Sequence, residues 1–166
     1  MPHPVCIKLR PAQGGDLPFL ESLRLSTMWD VVERHYPWES SAQLKRIFDH
    51  LECAHIITAD HLDIGLLKVH RTKSEIHLIQ IQILPDYQNQ GVGSSLIMTL
   101  QQESLLSGSP ITLKVFKSNR ACRLYQRLGF IPFAEDEHRF HLRWDPETFS
   151  ADSPHLSQSL LPPEVA

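Results

Sequence analysis

Two rhythms of apolar residues run along this chain, one of period two and one of helical spacing, and they predict an alternation of strands and helices. In the stretch from Glu75 to Leu84, the aliphatics Leu78, Ile79, Ile81, Ile83 and Leu84 interleave with Gln80 and Gln82, the pattern of a pleated, largely buried strand. Val5 to Leu9 alternates in the same way and ends at Pro11, Gly14 and Gly15. From Asp16 to about His35 the spacing becomes helical, with Asp16 as N-cap and Leu17, Leu20, Leu23, Met28, Val31 and Val32 on one side. Pro37 breaks that helix, and a shorter one capped by Ser40 or Ser41 carries Leu44, Ile47, Phe48 and Leu51. Ala54 to Thr58 and Leu62 to His70 read as a hairpin about Ala59-Asp60-His61, and Arg71 to Ser74 turns into the central strand.

After that strand come a turn, a glycine corner and a helix from Gly93 to Leu106, stopped at Gly108. Ile111 to Phe116 reads as a fifth strand and Asn119 to Leu128 as a short helix stopped by Gly129. Phe130 to Ala134 and Arg139 to Trp144 close the sheet. Beyond Asp145 the composition shifts to Ser, Pro and small polar residues, so residues 5–145 are read as one domain and 146–166 as a peripheral or mobile tail.

Composition narrows the function classes. With 166 residues and 42% hydrophobic content, the chain can bury one sizeable core. Its net charge of −3 is spread evenly, without the basic footprint of a nucleic-acid binder. Cys6, Cys53 and Cys122 are odd in number and far apart, which suits reduced, buried thiols in a cytoplasmic setting better than disulfides or a zinc site. No apolar run is long enough for a signal peptide or a membrane span, so no membrane partner is expected.

The chemistry concentrates at the glycine corner. Gly91 and Gly93 lack Cβ atoms, which lets the backbone approach a ligand, and the helix that follows offers unsatisfied first-turn N–H groups at its positive end. A phosphate is the natural guest. A Walker loop is excluded because no Lys follows the second glycine, and a dinucleotide fingerprint because Leu96 fills the third-glycine position. What remains, Gln88-Asn89-Gln90-Gly91-Val92-Gly93, resembles the pyrophosphate loop of the GNAT superfamily of acetyl-CoA-dependent N-acetyltransferases. Ile81-Gln82-Ile83-Leu84-Pro85 precedes the loop as in that family. Leu113-Lys114-Val115, Asn119, Ala121, Tyr125, Gly129 and Phe130 follow at the family's distance.

The resemblance implies an α+β fold, a mixed but mostly antiparallel sheet of six or seven strands splayed between strands 4 and 5 and flanked by about four helices. It implies acetyl-CoA as co-substrate, no metal, and a primary amine of a small molecule or peptide as acceptor. Ile81, Gln82 and Ile83 would offer main-chain groups to the pantetheine, and Gln88, Asn89, Gln90, Gly91, Val92, Gly93 and Ser94 would hold the pyrophosphate. Tyr125 matches the family tyrosine that protonates the departing thiolate, and its hydroxyl, protonated at neutral pH, is able to donate. Asn119 lies six residues before Tyr125, where many relatives have seven, with Ser118 at the family's place; contact with the coenzyme is implied for Asn119 on that match.

The general base is less direct. The fifth-strand glutamate of ribosomal-protein alanine acetyltransferases corresponds here to Lys114, a cation. Histone-type relatives carry a glutamate at the position of His77, and an imidazole suits proton abstraction through a water. Glu75, two residues upstream, shares the strand face. Trp29, Trp38 and Glu39 fall in the two-helix excursion where the family builds its acceptor wall. They would form an aromatic, acidic surface for a cationic amine, or else anchor the helices on the sheet. His138 and His141 are spaced to point to opposite faces of a strand, against a metal pair. Two readings stay open: an active transferase, in a superfamily where homodimers are common, and a silent CoA-binding sensor.

Overall fold

The computed structural model describes residues 5–152. Seven strands form one sheet: β1 (Ile7–Pro11), β2 (Ala54–Ala59), β3 (Leu62–Arg71), β4 (Ile76–Ile83), β5 (Ile111–Phe116), β6 (Ile131–Glu135) and β7 (Arg139–Trp144), in the order β1-β2-β3-β4-β5-β7-β6. Every neighbouring pair is antiparallel except β4 with β5, which run parallel. The helices are α1 (Leu17–Glu33), α2 (Ser40–Phe48), α3 (Val92–Ser107), α4 (Ala121–Arg127) and α5 (Pro146–Asp152).

Strand alternation splits the interior into two layers. Ile57, Leu67, Val69, Ile76, Leu78, Leu113 and Val115 pack with Ile97 and Leu100 of α3 and Tyr125 of α4 on one face. Ala54, Ile56 and Leu66 pack with Leu20 and Leu23 of α1 and Ile47 of α2 on the other. Lys68 falls on the α2 side, fully buried, and its Nζ donates to the carbonyl oxygens of Arg46, Ile47 and Asp49 at 3.2, 3.1 and 2.6 Å. A cation thus closes the negative end of α2, while burial lowers the lysine pKa to about 8.

Two irregularities shape β4. Lys68 pairs with Gln80 but Val69 with Leu78, so Ile79 is an extra residue that bulges the strand. On its other edge β4 meets β5 only at Ile76↔Ile111, His77↔Thr112 and Leu78↔Leu113. Past that point β4 stays with β3 as far as Gly65↔Ile83, while β5 stays with β7 as far as Phe116↔Arg139. A wedge opens between them.

Several expectations need correction. Asp16 stands at the N-cap position of α1 but makes no capping bond to that helix; its carboxylate binds Arg10 at 2.8 and 3.0 Å and accepts from the Gln13 amide, a bond that caps the short 3-10 turn Gly14–Asp16 instead. Cys6 is exposed beside β1 and Cys53 and Cys122 are half-buried, so the thiols are not core residues; all three are free. The stretch after Asp145 begins as α5, whose Phe149 ring lies 5.2 Å from that of Trp144. The rest of the expected tail, residues 153–166, lies outside the described residues.

Candidate functional site

The open end of the wedge is where β4 hands over to α3. Asn89 and Gly91 both have positive φ, 59° and 83°, and Gly91 is the N-cap of α3. The loop is folded by its own side chains, Gln88 Nε2 donating to the Ile83 carbonyl at 2.8 Å and Gln90 Nε2 to that of Asp86 at 2.7 Å. With those amide side chains turned inward, the N–H groups of residues 89–94 donate to no acceptor among the described residues; the first helical bond is Ser95 N–H to the Gly91 carbonyl. A Cβ on Gly93 would lie 3.5 Å from Ile83 Cδ1 and 3.6 Å from Leu124 Cδ2, so the start of α3 sits between the end of β4 and α4. This row of free donors at a helix N-terminus fits a diphosphate.

A cleft of about 630 Å³ runs from the wedge toward α1 and α2. Ile79 to Gln82 line one side and Lys114 to Phe116 the other, so the unpaired edges of β4 and β5 face the same space. Tyr125 joins them from α4. Its ring is buried and packs edge-on to Phe130 at 5.6 Å, while its hydroxyl makes no hydrogen bond among the described residues. None of the described side-chain N or O atoms is both sealed and unpartnered, so that hydroxyl reaches the cleft. Burial, with the nearby Cys122, raises the tyrosine pKa well above its usual value and keeps it a proton donor. Asn119 also lines the cleft, with its Oδ1 accepting from the Ala121 amide at the start of α4.

On the α1 and α2 side of the sheet, His77, Thr112 and Glu75 form a chain. Thr112 Oγ1 donates to Glu75 Oε2 at 2.9 Å and lies 2.8 Å from His77 Nδ1. A hydroxyl has one proton and an ionised carboxylate only accepts, so Nδ1–H of a neutral His77 must donate to Thr112. That leaves Nε2 as the lone-pair nitrogen of a ring that lines the cleft. Burial lowers the His77 pKa, opposed by the charge of Glu75 and aided by Lys114. Thr112 had no signal in the sequence beyond its place in a strand, because it acts through a register across parallel strands.

The acceptor wall differs from the expected one. Of Trp29, Trp38 and Glu39, only Glu39 lines the cleft; the two indoles pack on each other at 5.2 Å, with Trp29 43% exposed. Helical phase explains it: Arg24, Met28 and Val32 point inward from α1, and Trp29 lies one step round. The basic side chains Arg24, Arg46, Lys114 and Arg139 outnumber the acids Glu39 and Asp136.

At the far side, His35 Nδ1 meets His138 Nδ1 at 3.2 Å and His35 Nε2 lies 2.8 Å from Ser118 Oγ. His141 binds Asp136 at 3.1 Å instead of joining His138. A second cavity of about 550 Å³ beneath β6 and α5 holds none of the candidate residues.

Comparisons with known proteins bear on the family and the fold. Residues 51–132 match the family model described as an acetyltransferase (GNAT) domain. The fold resembles PaiA N-acetyltransferase from Thermoplasma acidophilum, solved in complex with coenzyme A, with TM-score 0.70 and 16% identity over 84% of this chain and 99% of that one. It also resembles the ribosomal-protein-S18-alanine N-acetyltransferase of Escherichia coli, with TM-score 0.60 and 20% identity over 84% and 94%. Ard1 from Thermoplasma volcanium gives 0.62 and 13% over 84% and 97%. No curated protein matches the sequence.

Proposed function

Since the chain carries an acetyltransferase domain of the GNAT superfamily, we propose that it transfers an acetyl group from acetyl-CoA to a primary amine of a small molecule or peptide by direct attack. The observation that carries this is the convergence on one cleft of the unpaired β4 edge, the free amides of residues 89–94 and the Tyr125 hydroxyl.

Each group has a task. The loop amides take the diphosphate, and the free edge of Ile79 to Ile83 offers main-chain groups to the pantetheine arm. His77 Nε2 takes the proton the amine loses as its nitrogen bonds to the acetyl carbon, directly or through a water. Thr112 and Glu75 hold the ring in the tautomer that makes this possible and stabilise the imidazolium. As the carbon–sulfur bond breaks, Tyr125 gives its proton to the leaving sulfur. Thr112 and Glu75 are positioning residues in this scheme, whereas His77 and Tyr125 act on the reacting atoms. We further take the transferase domain as residues 5–145, the cytoplasm as its compartment and a homodimer as compatible with its family.

Thiol release from acetyl-CoA over a panel of amines tests the reading. Loss of turnover in Tyr125→Phe with coenzyme binding retained supports it. Tight coenzyme binding without thiol release for any amine would instead favour a silent acyl-CoA sensor.

A further inference from the structure

Arg24 is a buried cation without a counter-charge among the described residues. It is 4% exposed, and no carboxylate pairs with it among the described residues. Its Nε donates to Oε1 of Gln43, itself buried, at 2.7 Å, which fixes the guanidinium plane between α1 and α2. The two Nη groups make no hydrogen bond among the described residues, yet none of the described side-chain nitrogens is both sealed and unpartnered, so they open on the cleft that Arg24 lines.

The surroundings deepen the imbalance. Arg46 and Lys114 line the same cleft, also without an ion-pair partner among the described residues. Of the two acids there, Asp136 is engaged by the amides of His138 and Arg139 and by His141, and Glu39 is exposed at the start of α2. Burial and the charge of Arg46 pull the Arg24 pKa down to about 10, the mark of a cation whose desolvation is uncompensated. A guanidinium fork held by one edge and open at the other is shaped to receive two oxygens of an anion.

We infer that the acceptor amine carries an oxyanion, a carboxylate or a phosphate monoester, which docks on Arg24 with Arg46 and Lys114 strengthening the field. The inference rests on the acetyl-transfer reading of the same cleft and adds the acceptor's class. It replaces the acidic, aromatic wall for a cationic amine that the sequence suggested.

The experiment uses matched amines: L-phenylalanine, L-lysine and L-glutamate, each against its α-carboxamide, and O-phosphoethanolamine against ethanolamine. Thiol release is followed with each, and each is titrated calorimetrically into the CoA-loaded protein. For at least one pair the anionic member should be preferred about tenfold or more in kcat/KM, mainly through KM. Which pair responds distinguishes carboxylate from phosphate. An amino acid's carboxamide has the less basic amine, so protonation favours the amide and cannot imitate the effect. Arg24→Met should remove the preference, and Arg24→Lys, which keeps charge but not the fork, should retain part of it; wild-type selectivity decides the matter if Arg24→Met does not fold. Equal turnover within every pair overturns the inference and leaves acetyl transfer standing. Binding of an anionic member without turnover of any amine leaves the anion site standing and overturns acetyl transfer. Neither binding nor turnover overturns both.

Discussion

The imidazole of His77 meets the hydroxyl of Thr112 across two parallel strands, Nδ1 to Oγ1 at 2.8 Å. Because Thr112 spends its single proton on Glu75, the contact fixes which ring nitrogen is free to act as a base. His77→Gln should lower kcat/KM by about 100-fold or more at neutral pH. The pH profile is the sharper readout. Burial holds the His77 pKa below its ordinary value, so the acidic limb of kcat/KM should lie below about pH 6.5. Glu75 stabilises the imidazolium, so Glu75→Gln lowers the pKa further and should move that limb to more acidic pH. A limb that stays in place in Glu75→Gln, or survives in His77→Gln, removes the relay from the mechanism.

Tyr125→Phe deletes one hydroxyl that has no partner among the described residues, so the fold should tolerate it. We expect kcat to fall by about 100-fold with coenzyme affinity and thermal midpoint nearly unchanged. Full turnover in this variant would exclude Tyr125 as the acid.

How much of this was legible in the sequence depends on distance along the chain. Local punctuation was readable: Gly108 and Gly129, with φ of 73° and 87°, end α3 and α4 where expected, and Asp60 and His61, both with positive φ, make the β2–β3 hairpin. The loop of Gln88 to Gly93 was readable for the same reason. Thr112, Arg24 and Lys68 were not, because each derives its role from partners 19 to 37 positions away in sequence. Trp29 was misplaced by the one-residue step that separates two sides of a helix, and the Ile79 bulge depends on a register with β3 that no local pattern encodes.

Gly91 and Gly108 allow a controlled comparison at the two ends of α3. Both have left-handed φ, 83° and 73°, and a Cβ on either would meet nothing within 4 Å. Alanine at either position should therefore cost similar stability, about 1–2 kcal/mol, measured by denaturant melts. Only Gly91→Ala should also weaken coenzyme binding, by about tenfold or more, because it distorts the row of donors. Equal coenzyme affinity in the two variants would move the diphosphate away from this corner.

Gly65→Ala probes the scaffold behind the cleft. A Cβ there would collide with the Gln82 carbonyl oxygen and press on Ile57 Cδ1 at 3.1 Å. Backbone cannot rotate out of the way as a side chain can, so the substitution should cost about 1–3 kcal/mol. It should also displace the β4 edge and raise KM for the coenzyme. A melt unchanged from wild type would show that β3 and β4 are less tightly apposed than described.

Only three residue pairs stitch β4 to β5, so at its centre the sheet is two half-sheets, one of four strands and one of three, clasped at a single end. Main-chain amides flanking that seam are the natural place for low-energy opening, ahead of the edges where sheets usually fray. A molecule lying in the gap then does for the protein what a missing strand would, and occupancy and rigidity become one quantity.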